Sequence, residues 1–190
     1  MAVETLQTLA PIRRISVSTF NNRIDSIAHY DTADFGLDMD QPYQRGHVWG
    51  LTRRRNLIRS FLLGVPIPSL IINNRWEAKF SHPGWDEKRC NSHAVIDGKQ
   101  RCTTILMFMR GELAVPASWW TTEQFDMPAT IETDDGLYVD WNGLTRQGQF
   151  RFRDRTIGVA EGQFSTLAEE QAVFDLVNFG GVAQGETDNV

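Results

Sequence analysis

Between Ile12 and Phe20 the chain alternates, with Ile15, Val17 and Thr19 set against Arg14, Ser16 and Ser18. A period of two predicts a half-buried strand that opens a sheet. The acidic stretch that follows, to Pro42, has little periodicity and predicts a loop running on through Tyr43-Gln44-Arg45-Gly46-His47-Val48-Trp49. From Thr52, a candidate N-cap, the period lengthens. Ile58, Phe61, Leu62 and Val65 share one face of a predicted helix, Gly64 can close it, and Pro66 and Pro68 bar its continuation. Ser69 to Asn73 reads as a short strand, Asn74 to Ser92 as a surface excursion, and Ala94-Val95-Ile96 as a buried strand. Gly98 permits a sharp turn into a helix through Arg110 that faces the core with Ile105, Leu106 and Met109 and stops at Gly111. The segment from Val115 to Met127, with Trp119, Trp120 and Phe125, is expected to cover one edge of the core. Phe150 and Phe152 alternate with Arg151 and Arg153, so Leu137 to Trp141, the turn Asn142-Gly143 and Gln149 to Ile157 predict a β-hairpin. Thr166-x-x-Glu169 is a capping-box signature ahead of Ala172, Val173, Leu176 and Val177, which predicts a last helix to about Asn178.

Strands and helices interleaved in this way predict an α/β (α+β) fold with a mixed sheet, flanking helices and a β-hairpin insertion. A chain of 190 residues with 41% hydrophobic content fits one domain, 1–190, and can bury a core without staples. Apolar runs such as Leu70-Ile71-Ile72 are far shorter than a membrane span, and the N-terminus has no signal-peptide pattern, so a cytoplasmic protein with no membrane partner is expected. Cys90 and Cys102 form no C-x-x-C pair and no zinc-ligand spacing. The net charge of −5 excludes a general basic coat for nucleic acid, which leaves local patches. Arg45, Arg53, Arg54, Arg55 and Arg59 lie close together. The acids gather elsewhere, at Asp31, Asp34, Asp38 and Asp40 and at Asp134 and Asp135.

The strand, turn and helix around Asp97-Gly98-Lys99-Gln100-Arg101 form the strongest candidate site. The first amides of a helix have no intrahelical acceptor and carry the positive end of its dipole, while Lys99, Arg101, Thr103 and Thr104 add donors for an anion. Asp97 beside them can hold a divalent ion that bridges phosphates or act as a general base toward water. Asp-Gly is also a common turn, and Asp97 can equally serve as a helix cap. Arg53, Arg54, Arg55 and Arg59 offer contacts to nucleic-acid phosphates, or else a solvated helix face. His29, His47, His82 and His93 are isolated and make no metal-binding helix, and Cys102 reads as a buried thiol more readily than as an activated one.

Four segments, in this order, resemble the DGQQR-motif family of GmrSD-type modification-dependent restriction proteins, within the ParB/sulfiredoxin-like superfamily. Pro42-Tyr43-Gln44-Arg45-Gly46-His47-Val48-Trp49 is similar to the family's YQR-x-x-x-W entry. The run from Leu57 to Pro68 is similar to its LI-x-S-x-LLG-x-PIP helix and corner. Val95-Ile96-Asp97-Gly98-Lys99-Gln100-Arg101 resembles its hallmark with Lys99 in place of the first Gln, and the stretch from Asn178 to Glu186 resembles its Asn, Gly and Glu signature. The resemblance covers about 12–188 and is weak from 112 to 165.

The resemblance implies a compact ParB/sulfiredoxin-like domain that binds and hydrolyses a nucleoside triphosphate, linked to DNA modification, restriction or phage–host conflict. It implies catalytic roles for Asp97, Gln100 and Arg101. Nucleotide contacts would come from Gln44, Arg45, Gly98, Lys99, Thr103 and Thr104, and Mg²⁺ would sit at Asp97. DNA and a separate nuclease or modification-system protein are the expected partners, since this chain offers no His-rich nuclease segment. The competing expectations are a DNA-binding or partner-binding module that senses a nucleotide or modified base, and a phage enzyme that transfers a group to a nucleotide or DNA base. A thiol enzyme using Cys102 ranks last, because the superfamily's reactive Cys precedes the motif Arg, whereas Cys102 follows Arg101.

Overall fold

A computed structural model describes residues 18–23, 37–44, 49–83 and 92–179. Two sheets organise them. Strands β1 (Ser18–Arg23), β2 (Leu37–Asp38), β3 (Leu70–Asn74), β4 (His93–Asp97) and β8 (Thr156–Gly162) form a mixed sheet in the order β1-β8-β3-β4-β2. β1 is antiparallel to β8, β8 parallel to β3, β3 antiparallel to β4, and β4 parallel to β2. The predicted opening strand is therefore an edge of this sheet. Its first residues, 12–17, fall outside the described residues, and it extends past Phe20 to Arg23.

Helix α1 (Leu51–Leu63) and helix α2 (Lys99–Met109) lie together over the sheet and build the main core. The N-cap of α1 is Gly50 and not Thr52, which sits within the first turn. At the other end Gly64 takes a left-handed φ of 71°, and the amides of Gly64 and Val65 return to the carbonyls of Phe61 and Ser60. That Schellman closure stops the helix before Val65, so Val65 is exposed while Leu57, Ile58, Phe61 and Leu62 are buried. Ala94, Val95 and Ile96 are wholly buried, as expected for a continuous apolar run in an interior strand.

Between α2 and β8 the chain builds a second, three-stranded sheet. It consists of β5 (Val115–Pro116), β6 (Ile131–Thr133) and β7 (Gly136–Val139) in the order β5-β7-β6, and helix α3 (Arg146–Arg153) follows it. A β-hairpin is present, but it joins β6 to β7 around Asp134-Asp135, with Thr133 paired to Gly136. The predicted hairpin from Leu137 to Ile157 is overturned. Asp140 Oδ1 accepts the amides of Asn142 and Gly143, and Thr145 then caps α3 by accepting from Gly148 N. Alternating Phe150 and Phe152 would share one face of a strand, whereas on a helix they diverge, so Phe152 is fully buried and Phe150 is exposed. Gly148 is required there, because a Cβ would fall 2.1 Å from the carbonyl oxygen of Gln124. Phe108 of α2 packs on Phe152 and Trp141 at ring separations of 4.9 and 5.8 Å, which ties the insertion to the main core.

The last helix, α4 (Leu167–Phe179), starts as its capping signature predicts: Glu169 N donates to Thr166 Oγ1, and the Glu169 carboxylate accepts from Ser165 N.

Candidate functional site

The turn between β4 and α2 brings together the residues singled out from the sequence. Gly98 takes φ 109° at the N-cap of α2, and a Cβ there would lie 2.3 Å from Leu70 Cδ2, so only glycine fits between strand and helix. No side chain among the described residues caps this helix, and amides at such a terminus are suited to hold an anion. Asp97 therefore does not act as the cap. Its Oδ2 instead accepts from Arg101 Nη2 at 2.7 Å, and the same nitrogen reaches the carbonyl of Ser69 at 3.2 Å. Arg101 Nε is buried with no acceptor among the described residues. Lys99 Nζ contacts Asp40 Oδ1 at 2.9 Å.

Gln44 reaches this turn from a distant segment. Its Nε2 donates to the carbonyls of Val95 and Ile96 at 2.6 and 2.9 Å. Two carbonyl acceptors fix the orientation of the amide, so Oε1 is directed elsewhere, and it is buried with no donor among the described residues. The expected meeting of the Gln44 loop with the Asp97-Gly98 turn thus holds for Gln44, while Arg45 lies outside the described residues. Gln100, in the first turn of α2, and Thr103, at the start of the second, are half-buried. Thr104 is fully buried and donates its hydroxyl to the Gln100 carbonyl, which closes it off from solvent. Among the described residues no three His, Cys, Asp or Glu side chains gather as a metal cluster, so any ion at Asp97 would depend on ligand oxygens for most of its shell.

The four helix arginines divide into two kinds. Arg54 donates to the Trp49 carbonyl and packs on the Met107 sulfur, and Arg55 donates to the Ala114 carbonyl and lies 4.4 Å from the Tyr138 ring centre. These two hold α1 against its neighbours. Arg53 and Arg59 are exposed, stacked over Trp49 at 4.6 Å and Trp119 at 5.6 Å. Cys102 is fully enclosed, and burial pushes its thiol up to about 12 despite the opposing charge of Arg101.

Sequence reasoning missed a buried ionic hub behind the Gln44 loop. Arg75, 4% exposed, binds the fully buried Glu170 of α4 through Nε at 2.8 Å and Nη2 at 2.7 Å, Asp38 through Nη1 at 2.8 Å, and Gln41 through Nη2 at 2.7 Å. Asn73 and the Tyr43 hydroxyl also donate to Glu170, at 2.7 and 3.3 Å. Desolvation alone would lower the basicity of Arg75, but the Glu170 and Asp38 carboxylates outweigh it and hold the guanidinium more firmly charged than usual. Burial, reinforced by the Glu170 charge, raises the Tyr43 hydroxyl far above its ordinary range. The hub anchors Gln41 and Tyr43, and so the segment that delivers Gln44. Arg75 falls in the stretch expected as a surface excursion and Glu170 in the first turn of α4, and only the tertiary fold joins them.

The family model described as the N-terminal domain of the GmrSD restriction endonuclease matches residues 28–189. The chain belongs to that family. The match spans every element from β2 to α4, including the insertion where the sequence resemblance was weakest, and membership links this GmrSD-type domain to restriction of DNA. No curated protein and no solved structure matches the chain. No helix among the described residues is long and apolar enough to cross a membrane.

Proposed function

We propose that this GmrSD-type domain binds and hydrolyses a nucleoside triphosphate in the service of DNA restriction, with a separate nuclease or modification-system protein as its partner. The observation that carries the reading is the start of α2, which no described side chain caps and where Arg101 binds Asp97 through Nη2 while its buried Nε has no acceptor among the described residues. A terminal phosphate on the first amides would meet Lys99 and Arg101, which draw off charge as the bond to the bridging oxygen breaks. Asp97 takes a proton from the attacking water, Gln100 orients that water, and Gln44 offers Oε1 to a donor on the ligand. In its alternative role Asp97 would hold Mg²⁺ in place of acting as base, and the ion would neutralise phosphate charge.

The test is phosphate release from a panel of nucleoside triphosphates, with and without modified DNA, by the wild type, Asp97→Ala and Arg101→Ala. Loss of one charged group at the transition state costs on the order of several kcal/mol, so turnover should fall at least 100-fold in both variants while cooperative unfolding persists. Unchanged turnover in both would remove the assigned roles, and loss of cooperative unfolding in both would show a structural pair. A second reading, DNA binding without hydrolysis, draws support from the exposed Arg53–Trp49 and Arg59–Trp119 stacks.

A further inference from the structure

A cleft of about 380 Å³ opens beside Ser69, between the corner that ends α1 and the start of β8. Its volume falls in the range of small-ligand sites. Phe61, Val65, Pro66, Ile67 and Ile157 supply apolar walls, and Ser69, Thr156, Asp154 and Arg155 supply polar groups. Gly158 forms part of the lining, and a Cβ there would fall 2.4 Å from Ser69 Oγ, so the glycine lets the two strands' ends approach.

Arg155 is unlike the other half-buried arginines. Arg54, Arg55 and Arg151 donate to named acceptors, and Arg101, whose Nε is also unmet, still binds Asp97 through Nη2; Arg155 Nε is buried and finds no acceptor among the described residues. A half-buried guanidinium with an unmet donor, set in a cleft of ligand size, is suited to an anion. Asp154, the one carboxylate in the lining, is exposed at the rim. Ser69 is shared: its carbonyl accepts from Arg101 while the residue lines the cleft.

We propose that this cleft is a phosphate-binding subsite continuous with the Asp97–Arg101 pair, with Arg155 as its cation. That the ligand is a nucleotide rests on the function proposed above, whereas the anion site rests on Arg155 and the cleft. A nucleoside triphosphate would place one phosphate on the α2 terminus and another part of its phosphate chain on Arg155.

The experiment follows the arginine Nε–Hε signals of the full chain by nuclear magnetic resonance during titration with adenosine and guanosine triphosphates and with inorganic pyrophosphate. Arg155→Lys and Arg101→Lys identify the two signals. The expected result is a saturable shift at both, with affinity weakened about tenfold or more in Arg155→Ala, the loss of one charge-assisted hydrogen bond. A shift at Arg101 with none at Arg155 overturns the subsite and leaves the proposed function standing. No shift at either signal with any probe overturns both.

Discussion

Replacing Glu170 by Gln keeps the side chain's shape and removes its charge. The wild-type carboxylate accepts from Arg75 twice, from Asn73 and from Tyr43, all at 2.7 to 3.3 Å. A Gln amide has one oxygen and one NH₂ group, so in either orientation an amide proton faces a donor. Arg75 retains Asp38, but that carboxylate is 31% exposed and compensates a buried guanidinium less well. Breaking one side of a buried pair costs about 3–5 kcal/mol, and the remaining Asp38 places this case near about 3 kcal/mol. At about 2–4 °C per kcal/mol for a domain of this size, the unfolding midpoint should fall by about 6–12 °C. Thermal unfolding followed by circular dichroism measures it. The double variant Arg75→Met with Glu170→Leu should recover much of the loss, because the uncompensated charge and not the lost contact is the main cost. A Glu170→Gln midpoint within about 2 °C of wild type would refute the argument.

Burial lowers His93 below its ordinary value of 6.5 despite the nearby Glu161, so the unfolded chain takes up the proton more readily than the folded one. Stability should therefore fall as pH drops below 6.5, and His93→Gln should flatten that part of a denaturation series across pH. The Cys102 thiol, raised to about 12, should resist a maleimide at neutral pH until the domain unfolds; rapid labelling of its peptide in the native protein would contradict the enclosed thiol. If the second functional reading holds, Arg53→Ala with Arg59→Ala should weaken duplex binding for all sequences alike and reduce its salt dependence. Arg54→Ala and Arg55→Ala should act chiefly on the unfolding midpoint, because those side chains hold α1 in place.

Local signals carried much of this molecule. The proline corner after Gly64, the apolar run before Asp97 and the Thr166-x-x-Glu169 box each describe a decision made within a few residues, and each element stands where its signal put it. The failures share a cause. Phe150 and Phe152 alternate with a period of two, yet the cap at Thr145 and the fit of Gly148 against Gln124 O belong to contacts outside that window. In the same way, the Asp97 carboxylate could be called a cap or a ligand from its neighbours, and only Arg101, one helical turn later, decides against the cap. Glu170 and Arg75 are far apart in sequence and carry no shared motif, so nothing short of the closed fold brings the hub into view.

The main sheet also sets the order in which the molecule can be made. β8 lies between β1 and β3, with Ser18 opposite Glu161 and Leu70 opposite Val159. Emerging from the ribosome, β1 and β3 must wait for a strand encoded far downstream before either gains this partner. Such non-local closure slows folding and leaves hydrogen-bonding edges exposed meanwhile. Nascent chains ending before Thr156 should accordingly depend on chaperones, and a truncation that removes β8 should aggregate where one that spares it does not.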